Sequence, residues 1–325
     1  MTTVQTVTGP IDSSQLGRVL MHEHLAVGYS GWESATHDQL DAAEMLKVCI
    51  SHLEELKDMG YSSLVDPCPS DLGRDPELMV AAAEATGFNI ICAVGLYHEA
   101  EGSKHWHFRS RFEDLTPVLT ELYVDELTNG IGSTGVRPGI IKAATGPYQA
   151  TDYELITLAA AAAASISTDT PITTHTDEGT LGDLQQQIFS DAGVPAHRVV
   201  IGHSCGSTDT DYHLGIARGG SYLGFDRFGL PMVSDDDRVA ALARVIAAGA
   251  GDRVVVSHDS VWCWKGQPWP PKLRPRIAAR FVPTLFDREI VPKLIDAGVD
   301  ETAIARLTDD NPRAYFESTP LVSLT

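Results

Sequence analysis

The sequence predicts an α/β protein, a (β/α)8 TIM barrel in which residues 1–325 form one domain. Three observations predict it. Eight short β-rich runs alternate with longer helical stretches along the whole chain, as in a parallel sheet whose strands are linked by helices. Several of these runs are almost wholly apolar, as strands buried on both faces must be. The length of 325 residues also suits such a barrel, which needs about 250. An open doubly wound sheet is the alternative, but no G-x-G-x-x-G follows the first strand, so its dinucleotide-binding signature is missing.

Strands are expected at Val19–His24, Ser63–Asp66, Ile90–Leu96, Gly139–Ala144, Ile172–His175, Val199–His203, Ser221–Phe225 and Val254–Ser257. Ala42–Met59 repeats apolar residues at helical spacing and stops at Gly60, and Pro76–Thr86 stops at Gly87. Glycine at that place favours the left-handed turn that ends a helix. Further helices are expected at Arg111–Thr128, Tyr153–Ser167, Leu181–Ala192, Asp209–Ala217 and Asp235–Ala248. The alanine run Ala159–Ala164 marks a strong helix former. Pro283–Ala297 and Glu301–Leu307 follow the eighth strand.

Composition excludes some classes of function. Net charge is −20, from 24 basic and 44 acidic residues, so the surface lacks the positive charge that nucleic acid or an anionic membrane requires. No apolar run is long enough to span a bilayer. Met1 to Pro10 has neither the basic start nor the apolar centre of a signal peptide. Cys49, Cys68, Cys92, Cys205 and Cys263 show no metal or disulfide spacing, which suits free thiols in a reducing compartment. The expectation is a cytoplasmic protein with a small-molecule partner.

The chemistry starts at His22-Glu23-His24, at the end of the first expected strand. On a strand, residues i and i+2 face the same way, so both imidazoles can reach one point, and neutral imidazole is the commonest metal ligand. Lys142 lies within the fourth strand; His175 ends the fifth and His203 the sixth, and Asp259 follows the eighth. Five of these six positions fall at carboxyl ends of strands, the catalytic rim of a barrel. A lysine inside an apolar strand must lose or pair its charge. Reaction with carbon dioxide removes that charge and leaves a bidentate carbamate.

This ordered set of His-x-His, Lys, His, His and Asp resembles the amidohydrolase superfamily. Gly9-Pro10-Ile11, Leu16-Gly17, Leu20-Met21-His22-Glu23-His24, Gly202-His203-Ser204, the run from Gly224 to Leu230, Ser257-His258-Asp259 and Asp310-Asn311-Pro312 resemble its phosphotriesterase family. Gly-x-Asp-Arg after the seventh strand is closest to the phosphotriesterase-like lactonases. The resemblance implies two divalent metal ions, zinc first, with iron, cobalt or manganese as alternatives. His22, His24 and Asp259 would hold the buried ion, and His175 and His203 the outer one. Carboxylated Lys142 and a hydroxide would bridge them, with Asp259 taking the hydroxide's proton. A homodimer is implied by the resemblance alone.

The resemblance also assigns a substrate pocket. Tyr97, after the third strand, matches the lactonase tyrosine that meets the substrate carbonyl, and Arg227 matches the arginine that orders the active-site loop. The long loop Ser260–Arg280 carries Trp262, Trp264 and Trp269, and Trp262 and Trp264 are expected to wall the pocket. Arg227 could instead pair with Asp226. His98, His105 and His107 lack ligand spacing and read as surface or pocket edge, and Cys205 as a passive thiol. Triesterases of the family carry a proton relay of paired aspartates and a histidine; here those positions are Cys205, Gly206 and Arg227. The function expected is therefore opening of lactone rings, N-acyl homoserine lactones first, by attack of the bridging hydroxide, with organophosphate hydrolysis as a side activity. A dedicated phosphotriesterase is the alternative. A cyclic-amide hydrolase is disfavoured because His22 arrives too early for its extra β domain. A complete ligand set argues against a non-catalytic binding protein.

Overall fold

A computed structural model describes residues 2–37 and 39–324. Met1, which begins the stretch examined for a signal peptide, lies outside the described residues. Eight parallel strands make one sheet: β1 (Arg18–Leu20), β2 (Tyr61–Asp66), β3 (Asn89–Gly95), β4 (Ile140–Thr145), β5 (Ile172–Thr176), β6 (Val199–Ile201), β7 (Tyr222–Phe225) and β8 (Val254–Val256). Each strand pairs only with its sequence neighbours, from β1 through to β8. The N–H of Met21 donates to the Val256 carbonyl at 3.2 Å and draws β1 against β8. Helices separate the strands, so the expected (β/α)8 TIM barrel is the fold.

Local signals fix most helices where they were expected. Ala42–Asp58 begins at Asp41, whose carboxylate accepts from the Ala43 N–H. Asp152–Thr168 begins in a capping box between Thr151 and Glu154. Pro76–Thr86 has proline in its first turn and ends at Gly87 with φ +71°. Inside the barrel, Val19, Val65, Ile91, Ile140, Val200, Tyr222 and Val255 form one apolar cluster. Burying each such aliphatic side chain stabilises by about 1.5–3 kcal/mol. The antiparallel hairpin Thr3–Thr6/Gly9–Asp12 adds Val4 to that cluster. Asn311 donates to the carbonyls of Gly251 and Val254 and anchors the start of β8.

Four expectations need correction. The first strand does not run to His24: β1 stops at Leu20, and His24–Val27 pairs instead with Val261–Trp264 as a separate parallel pair. Hydrogen bonds redirect the chain, with Glu23 N–H going to Val65 O and His24 N–H to Ser260 O. Strand six stops at Ile201, not His203. There a Cβ on Gly202 would lie 1.9 Å from the Thr174 carbonyl oxygen, so β5 and β6 approach too closely for any other residue. The helix expected from Arg111 starts at Thr116, and a separate helix, Lys104–Ser110, takes in His105, Trp106 and His107. Ser103 caps the first and Pro117 opens the second. Finally, the stretch Ser260–Arg280 is not all loop: it contains the strand Val261–Trp264 and the helix Arg274–Ala278.

Candidate active site

The six predicted ligands converge at the carboxyl end of the barrel. Ring centroids of His22 and His203 are 4.6 Å apart, as are those of His175 and His203, and His22 and His24 are 5.3 Å apart. Asp259 lies between three of them. Its Oδ1 is 3.6 Å from His22 Nε2 and 3.3 Å from His24 Nε2, and its Oδ2 is 3.8 Å from His203 Nε2. Lys142 Nζ is 3.2 Å from His22 Nε2. His22, Lys142, His175 and His203 are all 1–2% exposed. The two histidines of the first segment converge although they share no strand, because the chain turns between them.

Carboxylates behind the imidazoles fix their orientation. Asp226 Oδ1 lies 2.9 Å from His203 Nδ1, and its Oδ2 lies 3.2 Å from His22 Nδ1. Asp66 Oδ1 lies 3.2 Å from His24 Nδ1, while its Oδ2 accepts from the Leu25 N–H. With Nδ1 occupied, each ring presents Nε2 to the centre, the arrangement in which an imidazole ligates a metal. Glu23 performs a similar service for His258, whose Nδ1 is 2.7 Å from Glu23 Oε1. The sequence reading missed Asp66, Asp226 and Glu23. Signals were present: Asp66 ends an expected strand, Asp226 sits in Gly-x-Asp-Arg, and Glu23 separates the two histidines.

Protonation suits the same chemistry. Burial pushes His22 down, pushes His175 well down and lowers His203 to about 3, so these three are neutral at pH 7. Burial also opposes charge on His24, but hydrogen bonds to Asp259 and Asp66 outweigh it and hold its pKa well above the ordinary value. To ligate a cation His24 must give up that proton. Burial lowers Lys142 to about 8, which favours the neutral amine able to take up carbon dioxide. No carboxylate lies within 4.0 Å of Lys142 Nζ among the described residues. Burial raises Asp259, but His203 and Arg227 overcome it and keep the carboxylate ionised. These donors fit divalent cations: imidazole nitrogens, one carboxylate and the buried Lys142 amine beside them.

Above the cluster opens a cleft of about 500 Å³. Val27, Leu72, Val261, Trp264, Ile277 and Phe281 give it apolar walls, and Tyr97 and Arg227 supply polar groups near its floor. The Tyr97 hydroxyl is 3.3 Å from His175 Nδ1, and burial raises its pKa well above normal, so it stays a donor. Arg227 does not pair with Asp226. Its Nε donates to Asp259 Oδ2 at 2.9 Å. Trp262 does not line the cleft: it joins the apolar cluster that holds Leu25, Met45 and Cys263, and its ring lies 5.2 Å from His52. Trp264 and Trp269 do line it, with rings 5.6 Å apart. His98, expected at the surface or the pocket edge, is buried beside Tyr97 and His175. Burial raises the Cys205 thiol to about 11, which leaves it unreactive.

Comparisons with known proteins place the chain in a family. The profile of the phosphotriesterase family matches residues 2–316. A phosphotriesterase homology protein of Mycobacterium tuberculosis is 34% identical over 98% of both chains. The solved organophosphorus hydrolase of Deinococcus radiodurans is 36% identical, covers 97% of both chains and superposes with a TM-score of 0.92. A second solved structure, described as organophosphate hydrolysis activity engineered from a weak promiscuous lactonase template, is 34% identical over 97% of this chain and 99% of its own, with a TM-score of 0.91. With the barrel, the rim and these matches together, the chain belongs to the phosphotriesterase family and is a metal-dependent hydrolase of ester bonds.

Proposed function

We propose that this protein opens lactone rings, N-acyl homoserine lactones in particular, and hydrolyses organophosphates as a weaker side reaction. The observation that carries the reading is the capping of Asp259 Oδ2 by Arg227 at 2.9 Å. In a triesterase of the family a histidine relay would draw the proton away from that aspartate. Here a permanently charged guanidinium holds the place, so the proton needs another acceptor. A lactone supplies one, because its leaving alkoxide stays tethered to the product beside the carboxylate.

His22, His24 and Asp259 would hold a buried divalent ion, His175 and His203 an outer one, and a carboxylated Lys142 would lie between them. Such a pair would supply an ionised water at neutral pH and polarise a carbonyl oxygen. The protein's own residues do the rest. Tyr97 donates its hydroxyl hydrogen to the substrate carbonyl oxygen as charge develops there. Asp259 receives the proton of the attacking water and passes it to the alkoxide. Arg227 keeps that carboxylate ionised and oriented. The apolar walls shield the reaction from bulk water and take the acyl tail, with Trp264 in direct contact. The name of the lactonase-template relative fits this reading. A homodimer and a cytoplasmic location belong to the same proposal, and among the described residues no helix is long and apolar enough to cross a membrane.

The test is kinetic. Metal-replete enzyme is assayed on N-acyl homoserine lactones of graded chain length, on simple γ- and δ-lactones and on paraoxon. The expected result is a kcat/KM on acyl homoserine lactones above that on paraoxon by orders of magnitude. No turnover of any acyl homoserine lactone rules out the substrate, and faster paraoxon hydrolysis favours a dedicated phosphotriesterase.

A further inference from the structure

Where the barrel closes, β1 and β8 are not joined by a regular ladder. They are the two ends of the eight-stranded sheet and share no paired register. Just past them the same two segments do pair, His24–Val27 with Val261–Trp264, and the gap up to that pair is crossed by Met21 N–H to Val256 O at 3.2 Å, Asp259 N–H to His22 O at 3.0 Å and His24 N–H to Ser260 O at 2.9 Å. The seam runs between His22 and His24 on one side and Asp259 on the other. The pairing of Val261 with His24 sets the register just beyond the ligands, so His22 and Asp259 sit in the short unpaired stretch between the two ladders.

A buried side-chain network crosses the same gap. Glu23 is 0% exposed, Ser257 0% and His258 1%. Glu23 Oε1 accepts from Ser257 Oγ at 2.7 Å and from the His258 N–H at 2.8 Å, and lies 2.7 Å from His258 Nδ1. Ser257 Oγ in turn accepts from the His22 N–H at 3.0 Å. The Phe286 N–H donates to His258 Nε2 at 2.9 Å, so the imidazole proton is on Nδ1 and His258 donates to Glu23. The Glu23 backbone is itself tied to Val65 on β2. One carboxylate oxygen thus gathers three donors from the segment that ends in Asp259, and one of those donors also grips the backbone of His22.

We propose that Glu23 is a positioning residue that holds His22 against Asp259 in this unpaired stretch, and so sets how tightly the buried metal is held. The inference concerns metal retention and is independent of which ester is the substrate. Glu23→Gln keeps an oxygen for the three donors and turns its new NH2 toward the place of Oε2, which has no partner among the described residues. Glu23→Ala and Ser257→Ala cut the network at two points.

Two measurements test it on full-length protein. Zinc affinity, from competition with a chromophoric chelator, should fall about 10–100-fold in Glu23→Ala and Ser257→Ala but stay within about threefold of wild type in Glu23→Gln. Hydrogen exchange of the metal-free protein should quicken at residues 21–25 and 257–260 in both alanine variants, with the other strands unchanged. A merely structural role predicts the opposite pattern: exchange faster throughout the barrel and zinc affinity unchanged. Should Glu23→Ala not fold, Ser257→Ala alone decides. Zinc affinity within about twofold of wild type in Ser257→Ala overturns the proposal.

Discussion

Asp226→Asn is the sharpest single test of the candidate site, because one carboxylate orients two imidazoles. Asp226 is 1% exposed. Its Oδ1 serves His203 twice, 2.9 Å from both Nδ1 and the backbone N–H, and its Oδ2 lies 3.2 Å from His22 Nδ1. Asparagine has one acceptor oxygen. If that oxygen keeps the two His203 contacts, its NH2 faces His22 Nδ1, and two donors oppose each other. His22 can relieve this only by moving its proton to Nε2, the atom that must be bare to ligate. The reverse orientation of the amide sacrifices His203 instead. Either way one imidazole is lost as an oriented ligand. Loss of such an outer partner costs about 10–100-fold in metal affinity, or about 1.4–2.8 kcal/mol at 1.4 kcal/mol per tenfold. The assay is zinc titration of metal-free enzyme against a competing chelator, followed by kinetics at rising zinc. The expected result is weakened binding of at least one equivalent, partial recovery of kcat with excess zinc, and KM within about twofold of wild type. Two equivalents retained at wild-type affinity would refute the assignment of Asp226 as the orienting group.

Three further outcomes follow from the cleft and its surroundings. Tyr97→Phe should lower kcat/KM by about 100-fold with the fold intact, since it removes one donor to the developing oxyanion; a loss under about threefold separates the hydroxyl from the reaction. Trp264→Ala should change the preference for acyl-chain length, whereas Trp262→Ala should cost about 3–5 kcal/mol of stability by opening a buried cavity and leave that preference alone; reversed phenotypes would mean that Trp262, not Trp264, reaches the cleft. Burial raises Asp71 from 3.8 to about 6, against hydrogen bonds from the Ser103 and Tyr97 N–H groups. Because the folded protein binds this proton more tightly than the unfolded chain, its contribution to stability falls as pH rises from about 4 through about 6. Asp71→Asn, compared with wild type by urea unfolding across that range, should therefore gain relative stability toward neutral pH, by no more than about 3 kcal/mol; a constant difference across the range contradicts the assignment.

Much of the barrel is legible in the sequence because strands buried on both faces leave near-continuous apolar runs between helices closed by glycine. What fails is where two of the strands end. The run Val19–His24 stays apolar up to Met21, but hydrogen bonds to Val65 and Ser260 decide where pairing changes, and those partners lie far away in sequence. The ligand set is legible because its residue types and order are distinctive. The carboxylates behind it are not, since what Asp66 or Asp226 does depends on which imidazole Nδ1 it meets across the barrel. Trp262 and Trp264 illustrate the same limit. Both sit in what reads as one aromatic loop, and their spacing of two would put them on one face of a regular strand, yet Trp262 packs in the cluster with Leu25 and Cys263 while Trp264 reaches the cleft.

The misplaced strand ends also explain how the site is built. His22, His203 and Asp259 all lie past the point where the ladder of the preceding strand stops. His203 and Asp259 adopt left-handed backbone conformations, with φ of +56° and +54°, which cost non-glycine residues on the order of 1 kcal/mol or more each. Each is held there by a specific bond: the His203 N–H donates to Asp226 Oδ1, and the Asp259 N–H to the His22 carbonyl. A regular strand would turn consecutive side chains to opposite faces and leave each ligand where the pleat put it. Leaving the ladder lets each ligand turn separately toward the centre, and Asp226, Asp66 and Glu23 then restore the order that the sheet no longer imposes.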